Sequence, residues 1–549
     1  MKLHPDAGQR QILEAIEHER AQLMDEARPE AMKRLAERGR MSPRARIAMF
    51  VDPGTFDEIG ALASEEPEAG QPHPRDKSPA DGVVTGTARI DGRPVAVFAQ
   101  DFSVFGGSIG KLGSAKTHRM VKIAIRRGIP MVMMLDGGGH RIQGGQNSRH
   151  FAQANSMFHD LARASGWIPM VALMLGAGFA GPTNYAGLAD LVVMVRGQSV
   201  MGLAGPALVK AGTGEETDQE TLGGAAVQVD KQGLADLGVA SEEEAFSAAR
   251  RFLSYLPGNA RKPLPLVATD DPSDRGDDAL LDIVPPSTRR AYDMRQIISG
   301  IADVGSPFEI KPTFAANIIT TFARLGGRPV GFIANQPMRT GGILDANACE
   351  KGAHFIALCD AYGLPLISLI DVPGFYIGSA AERTTLGRRS AKLIYEWGHA
   401  SVPRVSVVIR KGFGLGYFAM NGGRAFDSDA SFAWPSAQIC AMSIEGAIDV
   451  AFRKDYMSAP DPQARRQEMI EETRAQTGSI HAAEGFGVDD VIDPRTTRRR
   501  IIEIFEQAPS RREPDHPPKV PIDPADLVPE RCATRQPHGK NKKTLGGMP

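Results

Sequence analysis

The sequence has little of what several function classes require. Four cysteines occur in 549 residues, Cys349, Cys359, Cys440 and Cys532, and no two form a C-x-x-C pair. That spacing argues against zinc or a redox dithiol, so no metal is expected, and it fits reduced thiols in a cytoplasmic protein. No apolar run reaches the roughly 20 residues that a membrane-spanning helix needs. The N-terminus, "MKLHPDAGQRQILEAIEHERAQLMDEARPE", is charged and helical in spacing, unlike a secretory signal. An excess of one charge is also missing, since 64 Lys and Arg meet 65 Asp and Glu. Nucleic-acid binding through a bulk basic surface is therefore not expected.

What the chain does have is a repeat. The stretch "GRPVAVFAQDFSVFGGSIG" (Gly92 to Gly110) returns as "GRPVGFIANQPMRTGGILD" (Gly327 to Asp345), at an offset of 235 residues. At the same offset Gly106-Gly107 meets Gly341-Gly342, Lys116 meets Lys351, Asp136 meets Asp371 and Gly139 meets Gly374. Upstream, "DPGTFDEI" (Asp52 to Ile59) is echoed by "DVGSPFEI" (Asp303 to Ile310). Similarity at a fixed offset over this length is the mark of a duplicated domain.

Each half alternates short apolar runs with helical stretches. "RPVAVFA", "IPMVMMLD" and "IPMVALML" read as strands, with "KTHRMVKIAIRRG" as a helix between the first two. "RPVGFIA", "LPLISLID" and "VPRVSVVI" repeat the order around "CEKGAHFIALCDAYG". Strands that are apolar throughout and separated by helices indicate an α/β fold with a buried sheet. The proline- and aspartate-rich stretch Lys262 to Ser287 is the expected linker. The expected division is 1–275 with a helical N-terminal segment, 276–510, and a basic, proline-rich tail over 511–549.

The third strand of each half runs into a glycine turn: "MLGAGFAGPTNYAGLAD" (Met174 to Asp190) and "VIRKGFGLGYFAMNGGRAFD" (Val408 to Asp427). A strand, a turn of small residues and a helix start leave backbone N–H groups without partners. Such groups can hold an oxygen that gains negative charge during reaction. Ala180-Gly181 and Leu415-Gly416 are the candidate donors, matched to each other across the duplication.

These motifs carry a resemblance. "QDFSVFGGSIG", "DGGGHRIQGG" (Asp136 to Gly145), "GPALVKAGTGEETDQETLGGA" (Gly205 to Ala225), "FLSYLPGN" (Phe252 to Asn259), "DVPGFYIG" (Asp371 to Gly378) and "RKGFGLGYFAMNGGRAF" (Arg410 to Phe426) occur in family order. The chain resembles the carboxyltransferase (β) subunit of biotin-dependent acyl-CoA carboxylases of the propionyl-CoA and methylcrotonyl-CoA type. The resemblance implies two crotonase-like domains, with acyl-CoA on the N-terminal one and carboxybiotin on the C-terminal one of a neighbouring subunit. It also implies a homo-hexamer and a separate biotin carboxylase and biotin carrier chain. Ala180 and Gly181 would then bind the thioester oxygen as an enolate forms, and Leu415 and Gly416 the biotin ureido oxygen. No protein base would be required.

Acyl-CoA contacts are expected at Gly106, Gly107, Gly138, Gly139 and Arg141, the last as a phosphate ligand. The biotin and acyl pocket is expected at Gly374, Phe375, Tyr417 and Phe418, the two aromatics being either pocket wall or core. The chain departs from the propionyl pattern at Ala180 and at Phe418, where that branch has aspartate. "MNGGRAF" and "KGAHFIALC" lean toward the methylcrotonyl branch and "DVPGF" toward the propionyl one, so the acyl group stays open. A decarboxylase working with membrane partners and a non-catalytic scaffold subunit are the alternatives. Three lures are set aside. Lys33 in "EAMKRL" lies in a helical pattern rather than a biotinyl hairpin, Ser108 in "GGSIG" lies too far past its strand for a nucleophile elbow, and "GGGHR" is a weak dinucleotide fingerprint.

Overall fold

The computed structural model describes residues 7–64, 78–141, 148, 152, 157–423 and 428–511. The tail after Arg511 and parts of "DGGGHRIQGG" and "MNGGRAF" lie outside the described residues.

The chain opens with α1 (Gln9–Ala21), α2 (Pro29–Ala36) and α3 (Pro43–Phe50). Ser42 caps α3 by accepting the Ala45 N–H, and Pro43 follows at the first helical position, where its missing N–H costs nothing. Lys33 is an exposed residue of α2, as its helical spacing predicts.

The first sheet uses β1 (Asp57–Glu58), β2 (Val83–Ile90), β3 (Arg93–Gln100), β4 (Met131–Leu135), β5 (Met170–Met174), β7 (Leu191–Val195) and β9 (Leu237–Val239), adjacent in that order. A separate two-stranded piece pairs β6 (Ala177–Phe179) with β8 (Val200–Gly202). The second sheet runs β10 (Phe308–Ile310), β11 (Ile318–Leu325), β12 (Arg328–Asn335), β13 (Leu366–Val372), β14 (Arg404–Phe413), β15 (Ala430–Ala433) and β17 (Asp490–Val491), with β16 (Gln438–Cys440) also on β14. In each half an antiparallel hairpin, β2–β3 or β11–β12, feeds a parallel run. The parallel strands β4, β5, β7, β13 and β14 are buried along their whole length, which is why they lack polar alternation.

The duplication is physical as well as textual. Asp52 accepts the Asp91 and Gly92 N–H groups at the first hairpin (3.0 and 2.8 Å), and Asp303 accepts those of Gly326 and Gly327 at the second (2.9 and 2.7 Å). Lys116 donates to the Ala80 and Val83 carbonyls, and Lys351 to those of Ala315 and Ile318, the same positions one repeat later. Burial lowers Lys116 to about 8 and Lys351 to about 7.

One core is common to both halves. It takes Val97, Val132 and Leu173 from the first sheet and Phe322, Ile333 and Leu366 from the second. Phe252, on the helix Glu242–Tyr255 of the first half, meets Phe322 at 5.6 Å, and Phe322 meets Phe355 at 5.0 Å. The stretch expected as a linker lies along the second half. Val267 pairs with the Gly327 carbonyl, and the buried Arg498 donates to the Asp271 and Pro272 carbonyls.

Buried polar contacts also join the sheets of the two halves. The Tyr362 hydroxyl donates to Asp190 (2.8 Å), and the Lys311 ammonium sits 2.8 Å from Asp236. Burial raises the Asp190 carboxyl to about 7, so the fold holds there a proton that an unfolded aspartate releases above about 4. Its contribution to stability is therefore full at low pH and is lost as pH rises toward 7. Asp190→Asn is expected to flatten this part of the pH dependence, checked by urea midpoints at pH 5 and pH 8; an unchanged slope would contradict it.

Candidate active site

Each half places three glycine segments together at the carboxyl ends of its parallel strands. In the first half the turn Phe105–Gly107 packs on the loop after β4. A Cβ on Gly107 would lie 2.2 Å from the Asp136 carbonyl oxygen, and Gly107 has φ +70°, so only glycine fits. The same holds at Gly342, with φ +81° and 2.6 Å to the Asp371 carbonyl oxygen. Ile109 pairs with Gly139 and Arg141 as Leu344 pairs with Gly374 and Tyr376, joining the first two segments in both halves. The third segment is the turn ending β6 or β14. A Cβ on Gly139 would touch that of Ala180 at 3.1 Å, and one on Gly416 would lie 3.0 Å from the Gly374 Cα. Gly138 and Phe375 belong to these same loops.

Beneath each assembly lies a buried aspartate. Asp136 follows β4 directly and binds Arg40 at 2.7 Å and Arg46 at 2.8 Å, while Arg46 also grips Glu242. Burial pushes the Asp136 carboxyl upward against the pull of Arg46 and Arg40. Asp371 binds Arg410 (3.0 Å), the backbone N–H of Lys411 (3.2 Å) and the Tyr292 hydroxyl (2.9 Å). Burial and Asp371 together raise Tyr292 well above its usual range, and burial lowers Lys411. The partner backbone is fixed as well, because Gln100 accepts the Asp136 N–H and Asn335 accepts that of Asp371.

Three expectations need correction. The Ala180 N–H donates to the Gly202 carbonyl (2.8 Å), so it is no free donor. The matching of Ala180 with Leu415 shifts by one residue. Ala180 has φ +61° and Gly414 φ +58°, each one residue past its strand, which pairs Gly181 with Leu415. Arg141 is buried, paired with Asp81 at 2.7 Å, and its guanidinium stacks over Phe105, so it braces the loop rather than presenting a cation to a phosphate. Among the described residues no group accepts from the N–H of Gly181, Leu415 or Gly416. Ser108 bonds back to the Phe105 carbonyl.

A cleft adjoins each turn. Phe179, Gly205, Pro206, Leu208, Asp218 and Gln219 line one of about 630 Å³. Tyr417, Phe418, Ile439, Thr477, His481 and Ala482 are among those lining another of about 650 Å³. Tyr417 is buried and serves core and wall at once, while Phe418 is half exposed. The residues that sequence reasoning missed here, Arg40, Arg46, Tyr292, His481 and the β8 segment, come from distant parts of the chain. Only the paired Asp136 and Asp371 carried a signal.

Residues 34–520 match the carboxyl transferase domain family. The chain belongs to that family. It is 38% identical over 496 residues to a propionyl-CoA carboxylase carboxyltransferase subunit of Haloferax mediterranei, covering 89% of this chain and 95% of the relative. It is 37% identical over 510 residues to the methylmalonyl-CoA carboxyltransferase 12S subunit of Propionibacterium freudenreichii subsp. shermanii, covering 92% and 94%. Among solved structures, a chain of the transcarboxylase 12S crystal structure, described as a hexamer assembly with methylmalonyl-coenzyme A and methylmalonic acid bound, superposes with a TM-score of 0.87 at 35% identity, covering 95% of this chain and 99% of that one. This chain is thus a carboxyltransferase, with the duplicated α/β architecture its sequence implied. These relatives are of propionyl and methylmalonyl type, so the lean toward methylcrotonyl finds no support in them.

Two outcomes test the site. Arg46→Leu leaves Asp136 and Glu242 short of a buried partner and is expected to cost about 3–5 kcal/mol, read from thermal or denaturant unfolding. Gly416→Val drives a side chain into Val372 and Gly374, and is expected to lower transfer about 100-fold or more while circular dichroism stays native.

Proposed function

We propose that this carboxyltransferase moves a carboxyl group from biotin on a partner chain to the α-carbon of a short acyl-CoA. The observation that carries this reading is the twice-built glycine turn, each copy anchored over a buried aspartate and opening beside its own cleft. Gly181 offers its N–H to the thioester oxygen in the first half. Negative charge grows on that oxygen as the α-proton leaves, a proton that biotin, having given up its carboxyl group, would take up, and a donor already fixed in place lowers the cost of that charge.

Leu415 and Gly416 offer two N–H groups in the second half, and these, with the aromatic walls of Tyr417 and Phe418, suit a small polar heterocycle with an apolar body. Biotin bound there would supply the activated carboxyl group. A cleft of about 650 Å³ lies within the range of small-molecule sites. The residues then divide the work: the first turn steadies the acyl oxygen, the second steadies the carrier. The aspartates keep both turns from moving as charge develops. The propionyl and methylmalonyl relatives support a short acyl group, and the 12S hexamer supports a hexamer for this chain.

The test is to isolate the chain from its native cells and probe its companions with streptavidin, then supply ATP, bicarbonate and a panel of acyl-CoAs. A soluble biotinylated partner with carboxylation of propionyl-CoA is expected. A biotinylated partner found only with membrane subunits would turn the reading toward decarboxylation. Absence of any biotin protein would overturn it.

A further inference from the structure

We infer that Thr183 is a positioning residue that aims the Gly181 N–H, an inference that rests on the reading just given. Thr183 is buried, two residues beyond Gly181. Its hydroxyl accepts the Gly202 N–H at 2.8 Å and lies 2.5 Å from the Gly178 carbonyl oxygen and 2.9 Å from that of Gly202. A hydroxyl has one proton to give, so one of those carbonyls takes it at a time. The Ala180 N–H closes the ring by donating to the Gly202 carbonyl. Gly202 is thereby gripped at both its N–H and its C=O, by residues on either side of Gly181.

The grip matters because the backbone it holds is unfavourable. Ala180 sits at φ +61°, ψ −117°, a region that L-residues avoid at a cost on the order of 1–3 kcal/mol. Nothing in the local sequence favours that conformation, and without a tie to β8 the turn would relax and swing the Gly181 N–H. Pro182 cannot replace that donor, since it has no N–H. Among the described residues the first turn therefore offers the Gly181 N–H as its donor, and Thr183 supplies the side-chain part of a tie to β8 that the Ala180 N–H supplies from the backbone.

The second half solves the same problem differently. Three residues past its positive-φ glycine, Gly414, stands Tyr417 where the first half has Thr183. Its ring lies 2.9 Å from where a Cβ of Gly412 would be and 2.1 Å from that of Gly422, so the turn is braced by packing. A hydroxyl-dependent turn on one side and a ring-braced turn on the other make the two half-reactions separable by mutation.

The experiment uses the full chain assembled with its biotin-bearing partner, as wild type, Thr183→Val and Thr183→Ser. Two rates are read: carboxylation of propionyl-CoA, as kcat and KM, and release of the carboxyl group from the carboxylated partner without acyl-CoA. Thr183→Val is expected to lower kcat for propionyl-CoA by about tenfold to a hundredfold with little change in KM, because a misplaced donor is lost only from the transition state. Thr183→Ser keeps the hydroxyl and should stay within about threefold of wild type. The partner-side rate should be unchanged in both. Wild-type kcat in Thr183→Val, equal losses in Val and Ser, or parallel loss of both rates would each overturn the assignment. A wild-type complex that carboxylates no acyl-CoA would instead sink the functional reading beneath it.

Discussion

A buried carboxylate that must be neutralised by cations organises each half of this molecule. Asp136 and Asp371 stand at the ends of equivalent strands, fully enclosed, with their backbones held by Gln100 and Asn335. An uncompensated charge there would be very costly, so cationic side chains are drawn in and the surrounding loops are fixed by them. Gly107 and Gly342, in the first glycine segment of each half, rest on the carbonyls of these same aspartates, and the donor turns pack on Gly139 and Gly374 of the loops that follow them.

The two halves recruit their cations by different routes. In the second, Arg410 and Lys411 come from the neighbouring strand β14. In the first, the place matching Arg410 is Gly176, where even a Cβ would lie 1.9 Å from an Asp136 carboxylate oxygen. The space is filled instead by Arg40 and Arg46, from the chain between α2 and α3 and from α3 itself. Arg28, which binds Asp101 and Ser103, adds to the clamp. This gives the N-terminal helices their purpose in the fold: they complete an electrostatic unit that the first repeat lacks.

The divergence of the turns follows the same line. One unit has Ala180 at a positive φ and a threonine tie to β8; the other has Gly414 at a positive φ and a tyrosine ring packed against its turn. A duplicated scaffold holding two unlike oxygens has no need of identical turns. Each needs only to keep its N–H groups aimed while charge builds.

Much of this was legible in the chain itself. Apolar strands without alternation declare a buried parallel sheet, and the offset of 235 residues between Asp136 and Asp371 declares a repeat. Those signals are local or periodic, and local sterics and burial suffice to produce them. Which N–H was free was not legible. Ala180 reads as a donor like Gly181 until β8, some twenty residues on, folds back and takes its hydrogen. Arg141 reads as a phosphate ligand until Asp81 meets it, and nothing in the sequence around Arg46 signals that Asp136 and Glu242 close around it. Pairings of this kind are decided by chain crossings remote in sequence, and a hydrogen bond or buried charge has no partner until the tertiary structure supplies one.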